Sequence, residues 1–94
     1  MKIQVLEHFI TLAESDSINE AAKKLYIAQP SLTKALQLFE KELGLQLFIR
    51  NKSGIQLTEA GKKILPEARQ MVKYYNSWLG LSSQQPLKGI NIYI

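Results

Sequence analysis

Apolar residues recur at Val5, Leu6, Phe9, Ile10, Leu12 and Ala13, the spacing of one helix face, so the pattern predicts a first helix over residues 3–14 that covers a core. A second helix is predicted from Ile18. Ser17 stands three residues before Glu20, the S-x-x-E capping box in which each side chain satisfies a free backbone donor of the other residue. Behind it Ala21, Ala22 and Leu25 share a face, and the two alanines are small enough for another helix to cross at close range. Residues 25–28 read as a turn. Pro30 restarts the helical pattern, since a proline in a first turn loses only an N–H that had no partner. Leu32, Leu36, Phe39 and Leu43 follow at the helical period until Gly44, a helix-stop residue in the C′ position. On the opposite face lie Pro30, Lys34, Gln37 and Lys41, with Thr33 beside them.

The period then changes. Leu47, Phe48 and Ile49 begin a β-rich run, residues 51–54 read as a turn, and residues 55–57 as a returning strand, which predicts a hairpin with Lys52 at its tip and Arg50 on its flank. Thr58 is an N-cap candidate with Glu59 in the first turn behind it. Ala60, Ile64, Ala68, Met71, Val72, Tyr75, Trp78 and Leu79 then continue at helical spacing, giving a fourth helix of roughly twenty residues, 59–79. So small a preceding domain cannot cover all of that stripe. Ile64, Ala68, Met71, Val72, Tyr75, Trp78 and Leu79 are therefore assigned to dimerisation. Pro66 predicts a kink in this helix, or the meeting point of two helices. The small, polar stretch of residues 80–86 reads as a linker, and residues 87–94, with Ile90, Ile92 and Ile94 in alternation, as the first strand of a further domain.

Two helices joined by a short turn, followed by a hairpin, are the order of a winged helix-turn-helix. The fold class expected is mostly α: three helices plus a two-stranded wing over residues 1–58, a linker and dimerisation helix over 59–79, and a hinge with one strand over 80–94. Amphipathic helices with a polar outer face also describe any small helical domain, and a hairpin carrying two cations can be a solvated loop. The tight-crossing residues and the types on the third helix weigh towards DNA: Gln29, Thr33, Lys34 and Gln37 are side chains that read base edges and phosphates.

Composition narrows the field further. The chain has 94 residues, room for one modest core, and 46% of them are hydrophobic. With no cysteine and a single histidine, disulfides, thiolate metal sites, histidine metal clusters and the usual catalytic triads are excluded. His8 is expected to be a solvated residue of the first helix. No carboxylate pair, metal cluster or glycine-rich phosphate loop suggests an enzyme, and no cofactor is expected in this segment. Glu7 and Glu14 interrupt the region a signal peptide would need, and no window reaches membrane-spanning length, so a cytoplasmic location without membrane contact is expected. The net charge is +4, and its distribution matters more than its size. Residues 1–20 set one lysine against four carboxylates, whereas residues 21–57 set six cations against two. Positive charge begins with the motif.

The order A-A-x-x-L, A-Q-P-S-L-T, F-E-K-E-L-G, L-F and L-T-E-A-G resembles the DNA-binding region of LysR-type transcriptional regulators, and the likeness covers nearly the whole chain, through Gly61 and on to Gly89. The resemblance implies a winged helix-turn-helix, a long linker helix that pairs two subunits, and a periplasmic-binding-protein-like domain for a small effector, of which only a first strand falls within this sequence. Its implied partners are a double-stranded DNA operator and a second copy of the chain, with a tetramer open to the full-length protein, which would bind an unidentified small-molecule effector. By position it places Gln29, Pro30, Ser31, Thr33, Lys34 and Gln37 at the major groove and Arg50, Lys52 and Ser53 in the wing. The family usually has arginine where Lys34 stands, and lysine, a point charge without the bidentate fork, suits a phosphate better than a guanine. Ala28 replaces a usual serine or threonine cap, and Leu38 falls near the exposed face where a polar residue is expected. The alternative class is a winged-helix protein-interaction or dimerisation module that binds no DNA.

Overall fold

The computed structural model describes residues 1–84; the strand expected over residues 87–94 lies outside them. In chain order the elements are α1 (Ile3–Ala13), α2 (Ile18–Leu25), α3 (Gln29–Leu43), β1 (Phe48–Asn51), β2 (Gly54–Leu57) and α4 (Glu59–Gln84). α1 stops one residue short of the expected boundary, with Glu14 as its cap. The start of α2 is capped by Ser17, whose Oγ accepts from the Glu20 N–H at 3.1 Å. The reciprocal bond differs from the expected box: the Glu20 carboxylate accepts from the Asp16 N–H, at 2.7 Å, one residue earlier than Ser17.

Between α2 and α3 the turn is made by Tyr26 in a left-handed conformation, φ 57°, its side chain 94% exposed. A non-glycine residue there costs about 1 kcal/mol. What the conformation provides is the reversal that lets α3 cross α2 over Ala21 and Ala22, both buried. Phe9, at 0% exposure, is the centre of the core, packed edge-to-face against Phe39 at 5.9 Å and Phe48 at 5.4 Å between ring centroids. Leu6, Leu12, Ile18, Leu32, Leu36, Leu47 and Ala68 complete the buried cluster. Leu43, expected in this stripe, is 36% exposed in the last turn of α3.

β1 and β2 pair antiparallel, Phe48 with Leu57 and Asn51 with Gly54, leaving Lys52 and Ser53 as a two-residue loop. Thr58 caps α4 as expected, accepting from the Gly61 N–H at 3.0 Å. α4 is longer than predicted. Residues 80–84, read as linker, continue the helix, since Gly80 costs only about 1 kcal/mol inside a helix and meets nothing there, and no proline intervenes before Pro86. Pro66 sits within this single helix rather than dividing it. It is exposed, on the solvent side of the helix.

His8 departs from its expected solvated state. It is half-buried between α1 and α3, and its Nδ1 is buried with no hydrogen-bond partner among the described residues. Burial lowers its pKa from the ordinary 6.5, the nearby Glu7 carboxylate opposing this more weakly. A base with a lowered pKa in the folded state binds fewer protons there than in the unfolded chain. Its contribution to stability is therefore complete above pH 6.5 and is lost as the pH falls towards the lowered value. Thermal unfolding followed from about pH 7 to about pH 5 should show a shallower loss of stability for His8→Gln than for the natural chain. Identical slopes would remove His8 as the cause.

Candidate nucleic-acid interface

α3 starts at Gln29 with Pro30 in its first turn, and Ala28 holds the extended N-cap backbone at φ −73° and ψ 143° without a side-chain acceptor. At about 100° per residue the outer face runs in the order Gln29, Thr33, Gln37, Pro30, Lys41, Lys34, Leu38, Ser31. The structure bears this out edge by edge. Thr33 and Gln29 are half-buried at one margin, while Pro30, Ser31, Lys34, Gln37 and Lys41 are exposed.

The Thr33 margin faces the wing. Thr33, Gln37 and Arg50 line one shallow cleft, floored by Leu12, Ile18, Leu36, Phe48 and Ile55 and bordered by Glu40. Arg50 reaches this cleft because strand side chains alternate, which puts it on the same face of β1 as Phe48, one step beyond the core and opposite Ile55. Lys52 and Ser53 are exposed at the tip, where the Ser53 N–H donates to Asn51 Oδ1 at 2.9 Å. The sequence-predicted residues thus fall into two groups. Thr33, Gln37 and Arg50 share the cleft, whereas Gln29, Pro30, Ser31 and Lys34 extend the surface along the first turns of α3 and Lys52 and Ser53 along the wing.

Two backbone constraints set the wing's position. Gly54 has φ 121°, and a Cβ there would stand 2.6 Å from the Asp16 carbonyl oxygen, so the hairpin lies against the loop between α1 and α2 as only glycine permits. At its root the Leu47 carbonyl accepts from the Thr58 N–H at 2.9 Å, and Thr58 Oγ1 donates to the Gln46 carbonyl. Sequence reasoning missed the role of Glu40, whose Oε2 accepts from the N–H groups of Leu47 and Phe48. In the run from Phe39 to Leu43 it reads like Glu42, an ordinary surface charge, and only the tertiary neighbourhood distinguishes them.

The cations stand free of acid partners. Lys34, Lys41, Arg50 and Lys52 make no ion pair among the described residues, whereas the pairs that do form are Lys24–Glu20, Lys62–Glu59, Arg69–Glu14 and the terminal amine with Glu42. The other margin of α3 is apolar. Leu38, 57% exposed, borders an open groove between α1 and α3 with Val5, His8 and Phe39.

The residues assigned to dimerisation divide. Ala68 is 1% exposed within the chain's own core, and Ile64 and Val72 pack half-buried against it, so these three serve the fold of the single chain. Met71, Tyr75, Trp78 and Leu79 remain exposed, joined by Tyr74 and Leu81. Among the described residues no cluster of His, Cys, Asp or Glu could hold a metal ion, and no helix is long and apolar enough to cross a membrane.

Residues 3–62 match the family model of the bacterial regulatory helix-turn-helix proteins of the lysR family. The uncharacterized HTH-type transcriptional regulator YbhD of Escherichia coli (strain K12) is 44% identical over 78 residues, which make up 83% of this chain and 25% of that protein. The chain thus spans about a quarter of that relative's length. Among solved structures, the CbnR_DBD–DNA complex superposes with a TM-score of 0.84 at 34% identity, covering 89% of this chain and 97% of that one. The BenM_DBD/benA site 1 DNA complex gives 0.83 at 30% identity, covering 89% and 98%.

The uncapped start of α3 makes a stability test. Ala28→Ser supplies an acceptor for the free N–H groups of the first turn on a backbone already in cap geometry, and should raise stability by about 0.5–1 kcal/mol in denaturant unfolding. No gain would mean that those donors are already satisfied.

Proposed function

Because the chain belongs to the lysR family of bacterial regulatory helix-turn-helix proteins, we propose that it reads duplex DNA in a sequence-specific manner as one half of a homodimer. α3 enters the major groove and the wing lies over the adjacent minor groove or phosphate backbone. The observation that carries this reading is the cleft at which Thr33 and Gln37 of α3 meet Arg50 of the wing, with the unpaired Lys34 and Lys52 on either side. An α-helix, about 10–12 Å across with its side chains, fits a major groove about 12 Å wide. Gln29 pairs with an adenine edge, Thr33 donates to a base or phosphate, Pro30 packs on a thymine methyl, Ser31 and Gln37 lie beside them, and Lys34, Arg50, Lys52 and Ser53 hold phosphates or the minor groove. Proteins of known structure with this fold bound to DNA, the CbnR and BenM domains among them, support the partner.

The second copy is supported by the distal half of α4. Met71, Tyr74, Tyr75 and Trp78 are all exposed, Trp78 by 67%, large apolar side chains side by side on one helix, as at an interaction surface. Two recognition helices held this way enter successive major grooves of a roughly two-fold symmetric site. The segment itself works without a cofactor or catalysis, in the cytoplasm where bacterial DNA lies. The effector is carried over from the family resemblance alone: a full-length protein of the relatives' length would have room for a domain that binds a small molecule.

Selection from a random duplex pool should return a two-fold symmetric site; recovery of no duplex at low salt would favour a protein-interaction module instead. Lys34→Ala and Lys52→Ala should each weaken binding to the selected duplex and lower the salt slope by about 0.9 for each phosphate no longer neutralised. An unchanged slope in both refutes the phosphate assignment. Sedimentation at tens of micromolar should give a dimer for the natural chain and a monomer for Trp78→Glu. A natural chain that sediments as a monomer would overturn the pairing through α4.

A further inference from the structure

Glu40 places a negative charge beside Thr33, Gln37 and Arg50, on a surface that must approach phosphates. An unengaged carboxylate there would oppose binding. Its charge is engaged: Oε2 accepts from the Leu47 N–H at 2.7 Å and the Phe48 N–H at 3.2 Å, both in the segment that leads into the wing. Leu47 precedes β1, so its N–H lies outside the hairpin ladder. Both bonds are partly shielded from solvent, and a carboxylate acceptor makes them stronger than neutral ones.

A two-stranded hairpin is marginal in water and needs an external tether to hold one orientation. Other anchors of this wing tie it elsewhere. Thr58 joins its root to the start of α4, and Gly54 seats it against the loop before α2. Among the described residues, the hydrogen bonds that join α3 to the wing are those of Glu40. We propose that Glu40 is a positioning residue that locks the wing to the recognition helix, so that Arg50 and Lys52 meet DNA at a fixed distance from Thr33 and Gln37. The helix and the wing then bind as one preorganised body. Without the lock, part of the wing's contact free energy goes into ordering the hairpin at the moment of binding. This inference rests on the DNA reading above.

The test is a pair of double-mutant cycles in the full chain, read as affinity for the selected duplex, with thermal unfolding of every variant alongside. Glu40→Ala removes the acceptor; Glu40→Gln keeps the shape and a neutral acceptor oxygen. Glu40→Ala should weaken binding about tenfold and Glu40→Gln about two- to threefold, in line with the lesser strength of neutral bonds. Most of that loss should vanish in an Arg50→Ala/Lys52→Ala background, where the wing has lost both its cations, and persist in full with Lys34→Ala. Faster amide exchange at Leu47 and Phe48 should accompany it. A merely structural role would give equal losses in both backgrounds, and that result overturns the proposal. Should Glu40→Ala fail to fold, Glu40→Gln carries the same cycles, and absence of its smaller coupling is equally decisive. If the natural chain binds no duplex, the DNA reading falls and this proposal with it. Binding without coupling removes the role of Glu40 alone.

Discussion

The peptide unit of Leu47 is the junction on which the rest of the structure depends. Its side chain is fully buried in the core, its N–H is held by Glu40 of α3, and its carbonyl accepts from Thr58 at the head of α4. Gly61 closes over the same carbonyl, in a space that a Cβ would fill. One residue therefore sets the recognition helix, the wing and the long helix relative to each other. A side chain at position 61 would have to move that carbonyl, and with it the wing.

The charge pattern gains a meaning from this geometry. The sequence is acidic at its start and basic from α2 onward, but the acids are not merely scattered. Glu14 pairs with Arg69 across 55 positions, Glu20 caps α2 and meets Lys24, Glu42 holds the terminal amine, and Glu40 holds the wing. Exposed ion pairs of this kind contribute at most about 1 kcal/mol each to stability. Their larger consequence is electrostatic. Glu14, Glu20, Glu40, Glu42 and Glu59 are engaged within the fold, while Lys34, Lys41, Arg50 and Lys52 keep their field for an anionic partner.

α4 performs two tasks along one stripe. Gly61, Ile64, Ala68 and Val72 close the core against α1, and from Met71 onward the exposed Met71, Tyr74, Tyr75 and Trp78 run away from it. The 26-residue helix is roughly 39 Å long at 1.5 Å per residue, well past the body it caps. Continuity through Pro66 keeps the distal stripe in phase with the proximal one.

Local chemistry was enough to place the helices and the hairpin, because the capping serine, the proline of the first turn, the stop glycine and the change from helical to strand period act within a few residues. It also gave the outer face of α3, since residues spaced by three and four share a side whatever packs behind them. It erred where the outcome depends on distant neighbours. Ala68 reads like Trp78 in the pattern, yet one meets Phe9's core and the other meets solvent. His8 reads as solvated until α3 packs over it, and the linker expected at residue 80 stays helical because nothing local is strong enough to end it. The sequence by itself thus determined which elements form and which residue types face outward. Only the tertiary structure decided that Arg50 joins Thr33 and Gln37 in one cleft, and that Glu40 turns inward to hold the wing, because those neighbours are set by core packing across many residues rather than by any local period.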